Sequence, residues 1–487
     1  MGLAGSGGLP PCLAHITLAQ AKTRNRCLIA HGEDNLLQFN RRNLLVSAGA
    51  AAAASRLSPA TALADLAATS TPLRITGLTV TPVALPDPPL LAASGCHGPY
   101  FLRNIVELET DSGIVGVGET HGGEGVTRAL ERAREIVVGE NVFAYRAFAR
   151  ELAALDESCH AGIELASLDA CGRAMGRRLC ELLGGPVRQE VEFAAYLFYR
   201  YAADHPKLLS DPRIVDDRGS GDGALDRWGE VRTPEAMVEM ALRFREQFGF
   251  RVFKLKAGVL APDAELATMR LMHERLGDEA LLRIDPNGRW KVETAIRVGK
   301  SLAELSLEYF EDPVAGQTAM AEVRRATGLP MSTNMCVTRF DHIAEALRLQ
   351  PVDVVLADHH YWGGMAGCLA LGPIADAAPW RLSQHSNSHT GITMAAMIHL
   401  AATVPQLTLA SDTHYPWLPE GADLIAGGKL PIHDGRMRLP AGPGLGIEVD
   451  RDKLARAAET YRKCGMRTRD DASTMRLIEP GWKAELF

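Results

Sequence analysis

The sequence predicts an α/β protein with two folded parts, a (β/α)8 barrel and a smaller α+β unit that precedes it. From Val191 onward, short apolar runs alternate eight times with amphipathic segments of helix length, which is typical of a parallel barrel of about 250 residues. Before Val191, apolar and polar residues alternate one by one on both sides of a turn sequence, which is typical of antiparallel strands. We therefore expect two different architectures in one chain.

The eight apolar runs predict the strands of the barrel. In chain order they are VEFAAYLF, FRVFKLKAG, ALLRIDPNG, LEYFEDP, PMSTNM, VDVVLAD, WRLSQHS and LTLASDT. Segments such as DAELATMRLMHERLG and RFDHIAEALRLQ lie between most of them, and their apolar spacing predicts helices. A strand followed by a helix in each repeat favours parallel strands.

The α+β unit begins near Leu73. The segments LRITGLTVTPVAL and RNIVELETDSGIVGVGET predict strands, and the Asp-Ser-Gly sequence at 111–113 predicts a hairpin turn. A helical stretch from Thr127 to Leu155 follows, and GIELASLDACGRAMGRRLCELLGG predicts a further helix that its closing glycines end.

Composition excludes several classes of function. The chain has 487 residues, and 52 Lys and Arg against 59 Asp and Glu give a net charge of -7, so nucleic acid is not an expected partner. Hydrophobic residues make up 46% and charged residues 23%, which is ordinary for a soluble globular protein and argues against several membrane spans. The nine cysteines include no CxxC pair, which argues against a zinc ribbon or a disulfide scaffold.

The first part of the chain has the features of an export leader. Arg41 and Arg42 precede the apolar run LLVSAGAAAAA, and residues 62–64 form an Ala-Leu-Ala cleavage site. Paired arginines before such a run resemble a twin-arginine signal, so we expect a leader over residues 1–72, export to the periplasm and a mature N-terminus shortly after Ala64. An Ala-rich leader with incidental arginines, or a start placed too far upstream, would leave the protein in the cytoplasm.

Ionisable and amide side chains stand where the predicted strands end. In chain order they are Lys254 and Lys256, Asp285 and Asn287, Glu311, Asn334, Asp358, His385 and Asp412, on the second to the eighth strand. The carboxyl ends of barrel strands open onto one face, so we expect these residues to converge around one cavity. Each alone could be a turn or cap residue, but their recurrence favours a shared site.

Three of these residues predict a metal site. Asp285, Glu311 and Asn334 lie on successive strands and offer only oxygen ligands, which suit a hard cation such as Mg²⁺. The alternative is that the two carboxylates pair with nearby arginines such as Arg289. The joint pattern favours the metal.

Lysines and a histidine predict bases on two sides of that metal. Lys254 and Lys256 point the same way from one strand, so each should lower the proton affinity of the other. His385 follows the strand next to the one that carries Asp358, and a carboxylate bonded to one imidazole nitrogen makes the other nitrogen a better base. Such a cavity can remove a proton from either face of a carbon acid.

The motifs KLK, RIDPNG, YFEDP, STNM, VLAD and QHSNSH resemble those of the enolase superfamily and, within it, of the glucarate dehydratases. The resemblance runs from about Leu73 to Trp482. Asn334 distinguishes the glucarate dehydratases within the superfamily, because most relatives similar to mandelate racemase carry a carboxylate at that position. It implies a TIM-like barrel at 191–425, an α+β capping domain at 73–190, and a C-terminal segment at 426–487 that returns to the capping domain.

Carried over by position, the resemblance implies the roles of single residues. Lys256 would be one base and His385, oriented by Asp358, the other, with Lys254 at the substrate carboxylate. Asp285, Glu311 and Asn334 would bind Mg²⁺. The implied substrate contacts are His97, Tyr196, Lys254, Asn287, Asn334, His385, Asn387, His414 and Arg469.

The implied activity is Mg²⁺-dependent dehydration of an aldarate, with D-glucarate giving 5-dehydro-4-deoxy-D-glucarate and water. A racemase or epimerase with the same bases, and an exported sugar-acid binding protein, stay open as alternatives. The segment at 156–162 and the loop after Glu311 are shorter than in glucarate dehydratases, and LADHH replaces LADPH, so the substrate is less constrained than the reaction. The sequence leaves the oligomeric state open, a homo-oligomer included.

Overall fold

The computed structural model describes residues 72–215 and 228–487. The predicted export leader at 1–72 lies outside these residues, apart from its last position, Pro72. In the part of the chain that is described, no helix is both long and apolar enough to cross a membrane.

Eight parallel strands form the predicted barrel and follow one another in chain order around it. The first and last strands pair with each other, and the ring is nearly closed by a bridge between Leu382 and Leu407 and a hydrogen bond from Ser383 Oγ to the carbonyl of Ala410 at 2.8 Å. A ninth strand, β14 (Arg436–Arg438), pairs antiparallel with the start of the first barrel strand, at Glu190–Glu192. The barrel strands are β6 (Glu190–Phe198), β7 (Val252–Lys256), β8 (Leu281–Asp285), β9 (Tyr309–Glu311), β10 (Met331–Thr333), β11 (Val354–Ala357), β12 (Arg381–Gln384) and β13 (Ser411–Thr413).

Helices follow the strands in each repeat from β7 to β12. They start and end where the sequence provides the signals: Thr233 and Thr390 accept hydrogen bonds from the first turns of their helices, and Gly249 ends its helix in the left-handed conformation. The helices of the barrel are α5 (Pro206–Leu209), α6 (Pro234–Phe248), α7 (Pro262–Leu276), α8 (Val292–Leu302), α9 (Gln317–Thr327), α10 (Ile343–Leu349), α11 (Gly364–Ala377) and α12 (Gly391–Thr403).

The predicted α+β unit caps the barrel. Three antiparallel strands form its sheet in the order β1 (Ile75–Pro86), β4 (Tyr100–Thr110) and β5 (Val115–His121), and a short hairpin, β2 (Leu91–Ala92) and β3 (Gly95–Cys96), lies between the first two. The hairpin turn at 111–113 is confirmed by the hydrogen bond from Thr110 N to Ile114 O at 3.0 Å. The cap helices are α1 (Glu124–Val137), α2 (Ala149–Leu155), α3 (Glu157–Met175) and α4 (Leu179–Leu182).

Two predicted helices of the cap are wrong in extent. The stretch from Thr127 to Leu155 is two helices, because the chain turns extended at Val138 and Gly139 then takes a φ of 95°. The next helix ends at Gly176, where a left-handed residue stops it, and only a short helix follows.

The C-terminal segment returns to the cap, as expected from the resemblance. It contains α13 (Arg451–Lys463) and α14 (Asp471–Ile478). Cys464 and Met466 pack on Ala84, Tyr100 and Leu102 of the cap sheet. Apolar residues of the cap and of the barrel belong to one buried cluster, so the two parts share a hydrophobic core. Arg103 of β4 and Glu119 of β5 make hydrogen bonds to residues at the start of α12, which places the cap over the carboxyl ends of the barrel strands.

Candidate active site

The predicted residues lie at the carboxyl rim of the barrel. Lys254 and Lys256 are on β7, Asp285 and Glu311 end β8 and β9, Asn334, Asp358 and His385 directly follow β10, β11 and β12, and Asp412 is on β13. Their strands are parallel and hydrogen-bonded in sequence, so their ends share one rim.

Both lysines are buried against carboxylates. Lys256 Nζ lies 2.6 Å from Asp285 Oδ2, and Lys254 Nζ lies 2.6 Å from Glu311 Oε2 and 2.7 Å from Asp412 Oδ2. Burial lowers the pKa of Lys254, but the charges of Asp412 and Glu311 outweigh it and hold that pKa well above its ordinary value. The expectation that the two lysines depress each other is therefore wrong for Lys254, which the surrounding acids keep charged.

The three predicted metal ligands are brought together. Lys254 Nζ lies 2.6 Å from Glu311 and 3.5 Å from Asp285, so both carboxylates face one small volume. Burial and the neighbouring Asp285 hold the pKa of Glu311 well above its ordinary value. Their ion-pair partners are the lysines, and among the described residues neither pairs with Arg289. Two buried carboxylates side by side form a site that favours a divalent cation.

Asn334 connects the carboxylates to the histidine. One end of its side-chain amide lies 3.1 Å from Glu311 Oε1, and the other end lies 3.0 Å from His385 Nε2. Its backbone N–H donates to Asp312 Oδ2 at 2.8 Å, which fixes the start of the loop that follows β10. Asp312, which the sequence reasoning did not consider, is buried and also accepts from Thr333 Oγ1 at 2.5 Å.

His385 and Asp358 form the predicted dyad. His385 Nδ1 lies 2.8 Å from Asp358 Oδ2, and both side chains are buried. Burial raises the pKa of Asp358, but the histidines His360 and His385 hold it well below its ordinary value. The carboxylate therefore stays ionised and holds the imidazole with Nε2 directed at Asn334.

Three predicted substrate contacts form an aromatic cluster. The His414 ring lies 4.9 Å from the ring of Tyr196 and 6.1 Å from that of His97. His97 Nδ1, Tyr196 Oη and His414 Nδ1 are buried and have no hydrogen-bond partner in the part of the chain that is described; Asp87 Oδ2 lies 3.4 Å from His97 Nδ1 but without hydrogen-bond geometry. Unpaired buried polar atoms are costly, so these atoms fit contacts to a polar ligand.

The other predicted contacts already have partners in the protein. Asn387 Nδ2 lies 3.4 Å from His121 Nε2, and the backbone N–H of Asn287 donates to Asp285 Oδ1 at 3.0 Å. Arg469 makes two hydrogen bonds of 2.7 Å to Asp471. Asn287 therefore lies beside Asp285, a predicted metal ligand. Arg469 would have to give up its hydrogen bonds to Asp471 in order to bind a substrate.

Sequence reasoning missed residues that hold the site from outside. Arg283 donates to Glu308 Oε2 at 2.6 Å and to Asp412 Oδ1 at 3.2 Å beneath the lysines. His360 and the cap residue Arg103 lie behind the dyad. The sequence did carry weak signals, since His360 is the last residue of the unusual LADHH and Arg103 is in the phrase GCHGPYFLRN that contains His97.

Comparison with known proteins gives the family. Residues 74–184 match the N-terminal domain of mandelate racemase / muconate lactonizing enzyme, and residues 236–453 match the enolase C-terminal domain-like family. A protein of Streptomyces coelicolor described as a probable glucarate dehydratase is 40% identical, over 84% of this chain and 97% of its own. A chloromuconate cycloisomerase of Pseudomonas putida is 28% identical, over 72% of this chain and 90% of its own.

A solved structure agrees with these matches. The enolase of Pseudomonas fluorescens Pf0-1, crystallised with bound magnesium, potassium and tartrate, is 39% identical and superposes with a TM-score of 0.78, over 85% of this chain and 99% of that one. The chain belongs to the enolase superfamily and carries the N-terminal and C-terminal domains of its mandelate racemase and muconate lactonizing enzyme group.

Proposed function

We propose that the protein is a hydro-lyase that dehydrates acid sugars with Mg²⁺ and that D-glucarate is its substrate. The observation that carries the proposal is one set of oxygen ligands with a candidate base at each end: Lys256 contacts Asp285, and His385 contacts Asn334. The relative at 40% identity, described as a probable glucarate dehydratase, supports the reaction and the substrate. The cycloisomerase is more distant.

The residues fit the ion that the proposal requires. Asp285, Glu311 and Asn334 would hold Mg²⁺, because they are clustered oxygen donors and two of them are fully buried carboxylates. When bound, the ion supplies positive charge that stabilises the anion formed when a proton beside a carboxylate is removed. The magnesium and tartrate reported for the related enolase support a divalent ion with a hydroxy dicarboxylate.

The chain's own residues would carry the proton and hold the substrate. Lys256 or His385 takes the α-proton, depending on which face of the carbon carries it, and the electron pair passes into the carboxylate. Lys254, kept charged by its neighbours, lies beside the negative charge that develops. The bond to the β-hydroxyl then breaks, the hydroxyl leaves as water with a proton equivalent to the one that the base removed, and the enol that remains rearranges to a keto acid.

A panel of aldarates tests the proposal. The purified protein with Mg²⁺ should form a keto acid from D-glucarate, and Lys256→Ala and Asn334→Asp should both lower the rate. Keto acid is measured by its reaction with semicarbazide. Unchanged rates in both variants would remove the proposed roles of these residues.

The alternatives give different products. Inverted substrate with deuterium from solvent, and no keto acid, would identify a racemase or epimerase. Binding of aldarates in the presence of Mg²⁺ without turnover would identify a sugar-acid binding protein.

We also propose that the protein is exported through its twin-arginine leader. Support comes from Arg41, Arg42 and the Ala-Leu-Ala sequence ending at Ala64. N-terminal sequencing of the protein from its native host should give a start shortly after Ala64. An intact N-terminus on protein recovered from the cytoplasm would contradict export.

A further inference from the structure

We propose that Arg103 and His360 are positioning residues for the base His385. In this arrangement, the arginine of the cap keeps a proton off Nε2 of His360, and His360 fixes the carboxylate of Asp358 that orients the base. The inference rests on the proposed function for its kinetic consequences, but its structural premise can be measured without turnover.

The first step is the use of both oxygens of Asp358. Oδ2 lies 2.8 Å from His385 Nδ1, whereas Oδ1 accepts from the backbone N–H of His360 at 2.8 Å and lies 2.7 Å from its Nδ1. A carboxylate held on one oxygen only can rotate away from its histidine. Here the two contacts from His360 fix the plane in which Oδ2 meets His385.

The second step is the tautomer of His360. Its Nε2 lies 3.0 Å from Arg103 Nη2. A guanidinium group only donates hydrogen bonds, so His360 Nε2 must accept and cannot carry a proton. The proton of the neutral imidazole is then on Nδ1, where it is donated to Asp358. Asp358 and Arg103 thereby favour the same tautomer, and Arg103 in addition keeps a proton off Nε2.

The third step is the anchoring of Arg103 in the cap. Its Nε donates to Glu119 Oε1 at 2.8 Å, on the neighbouring strand β5. Glu119 in turn accepts from Thr390 Oγ1 at 2.7 Å and from the backbone N–H of Thr393 at 2.8 Å, at the start of α12. All of these groups are buried. The guanidinium group is therefore held between the cap and the barrel, with its position set by the docking of the two.

Neutral imidazole rings surround this set of contacts. The ring of His121 lies 4.4 Å from that of His360, and the ring of His359 lies 4.0 Å from it. Burial holds the pKa of both of these histidines well below the ordinary value, so they remain neutral beside Arg103. The adjoining cavity has a volume of about 10 Å³, which is room for about one water.

The tautomer can be measured by NMR of the full chain with ¹⁵N-labelled histidine. We expect Nδ1 of His360 to be protonated and Nε2 to be unprotonated in the wild type. Arg103→Met should remove the donor that keeps Nε2 unprotonated, so that Nε2 can take up a proton while Asp358 keeps Nδ1 protonated. A proton on Nε2 of His360 in the wild type, or no change in Arg103→Met, would overturn the inference.

The kinetic test uses the two candidate bases separately. Exchange of the α-proton in D₂O is followed for D-glucarate and L-idarate with Mg²⁺, and His385→Gln identifies the epimer that depends on His385. His360→Leu and Arg103→Met should slow that epimer by about 10- to 100-fold, the usual effect of losing a residue that orients a histidine. The other epimer should change by less than about 3-fold, because the hydrogen bond of Lys256 in the described part of the chain goes to Asp285 and not to Arg103, His360 or Asp358.

Controls separate positioning from general damage. His360→Asn can keep a donor toward Asp358 and should recover much of the rate, whereas Thr393→Val removes a different partner of Arg103 Nη2, at 3.3 Å, and should leave the ratio of the epimers unchanged. Equal loss for both epimers in His360→Leu and His360→Asn would assign these residues a structural role and refute the inference. Absence of exchange in the wild type would refute the proposed function, and the NMR result would still decide the tautomer.

Discussion

The two candidate bases are held by different parts of the molecule. Lys256 is on β7, and its contact at 2.6 Å is with Asp285 at the end of the adjacent strand. His385 follows β12 and is held through Asp358 and His360 by Arg103, a residue of the cap. One base is therefore a property of neighbouring barrel strands, and the other depends on how a second domain docks.

This difference predicts which substrate epimer a given substitution should affect. A substitution in the barrel between the bases should affect both substrate epimers, because the oxygen ligands are shared. A substitution on the cap side should affect only the epimer that uses His385. The ratio of the two exchange rates is thus a measure of which part has been disturbed.

The largest effects are expected when one base is removed at a time. Lys256→Met and His385→Gln should each lower α-proton exchange by about 10²- to 10⁴-fold for one epimer, the usual contribution of a general base, and much less for the other. Deuterium incorporation into D-glucarate and L-idarate, measured by NMR, gives both rates. Loss of exchange for both epimers in both variants would mean that the two groups act as one unit. It would contradict separate roles for Lys256 and His385.

Removing a shared ligand should have a large but symmetrical effect. Glu311→Gln should lower both rates by about 10²- to 10³-fold, because charge stabilisation is lost for either direction of attack. The rate should also require more Mg²⁺, which a titration measures, and a chelator should abolish activity in the wild type. Glu304→Gln is a control, since that carboxylate is 73% exposed on the barrel surface and should change neither rate. Unequal loss for the two epimers would contradict a shared ligand.

Much of the barrel side was predictable because its signals are local. Asp285, Glu311 and Asn334 each end a short apolar run, and the parallel barrel brings such ends together whatever the detailed packing is. Asp358 and His385 were found in the same way, and they do form a hydrogen-bonded pair. The repeat thus reveals both the fold and the positions of these residues.

The cap side was not predictable because its contacts are distant in sequence. Arg103 and His360 are 257 positions apart, and Glu119 and Thr390 are 271 apart. Nothing near Arg103 in the sequence indicates which histidine its guanidinium group will meet. The charge of Lys254 was misjudged for a related reason, since Asp412, 158 positions away, is one of its partners.

A smaller, one-sided effect is expected at the link between the two regions. Asp358→Asn keeps the shape of the side chain but offers an amide where His385 needs a carboxylate. We expect exchange of the epimer that depends on His385 to fall by about 10- to 100-fold, and the Lys256-dependent epimer to serve as the internal control. Steady-state rates for the two epimers, measured with one preparation, check this. If the Lys256-dependent epimer fell equally, Asp358 would have to act on the whole site.

The smallest effect on rate should come from the residue that docks the cap. Burial would raise the pKa of Glu119, but Arg103, foremost among its neighbours, lowers it from 4.5 to about 2. A folded-state pKa below the unfolded one stabilises the protein above about pH 4.5, and the stabilisation is lost as the pH falls toward 2. A depression of this size corresponds to about 3 kcal/mol at neutral pH.

Glu119→Gln should therefore lower the thermal midpoint at pH 7, and the difference from the wild type should shrink between about pH 4.5, where Glu119 is protonated in the unfolded chain, and about pH 2, where it is protonated in the folded protein as well. Calorimetry at several pH values measures this. Glu448→Gln is the matched control, because that carboxylate also pairs with an arginine of the cap, at 2.7 Å, but is 73% exposed and should matter little. If the variant is folded at 25 °C, a few-fold fall confined to the His385-dependent epimer would tie the docking of the cap to one base. An unchanged ratio would mean that docking stabilises the protein without positioning His385.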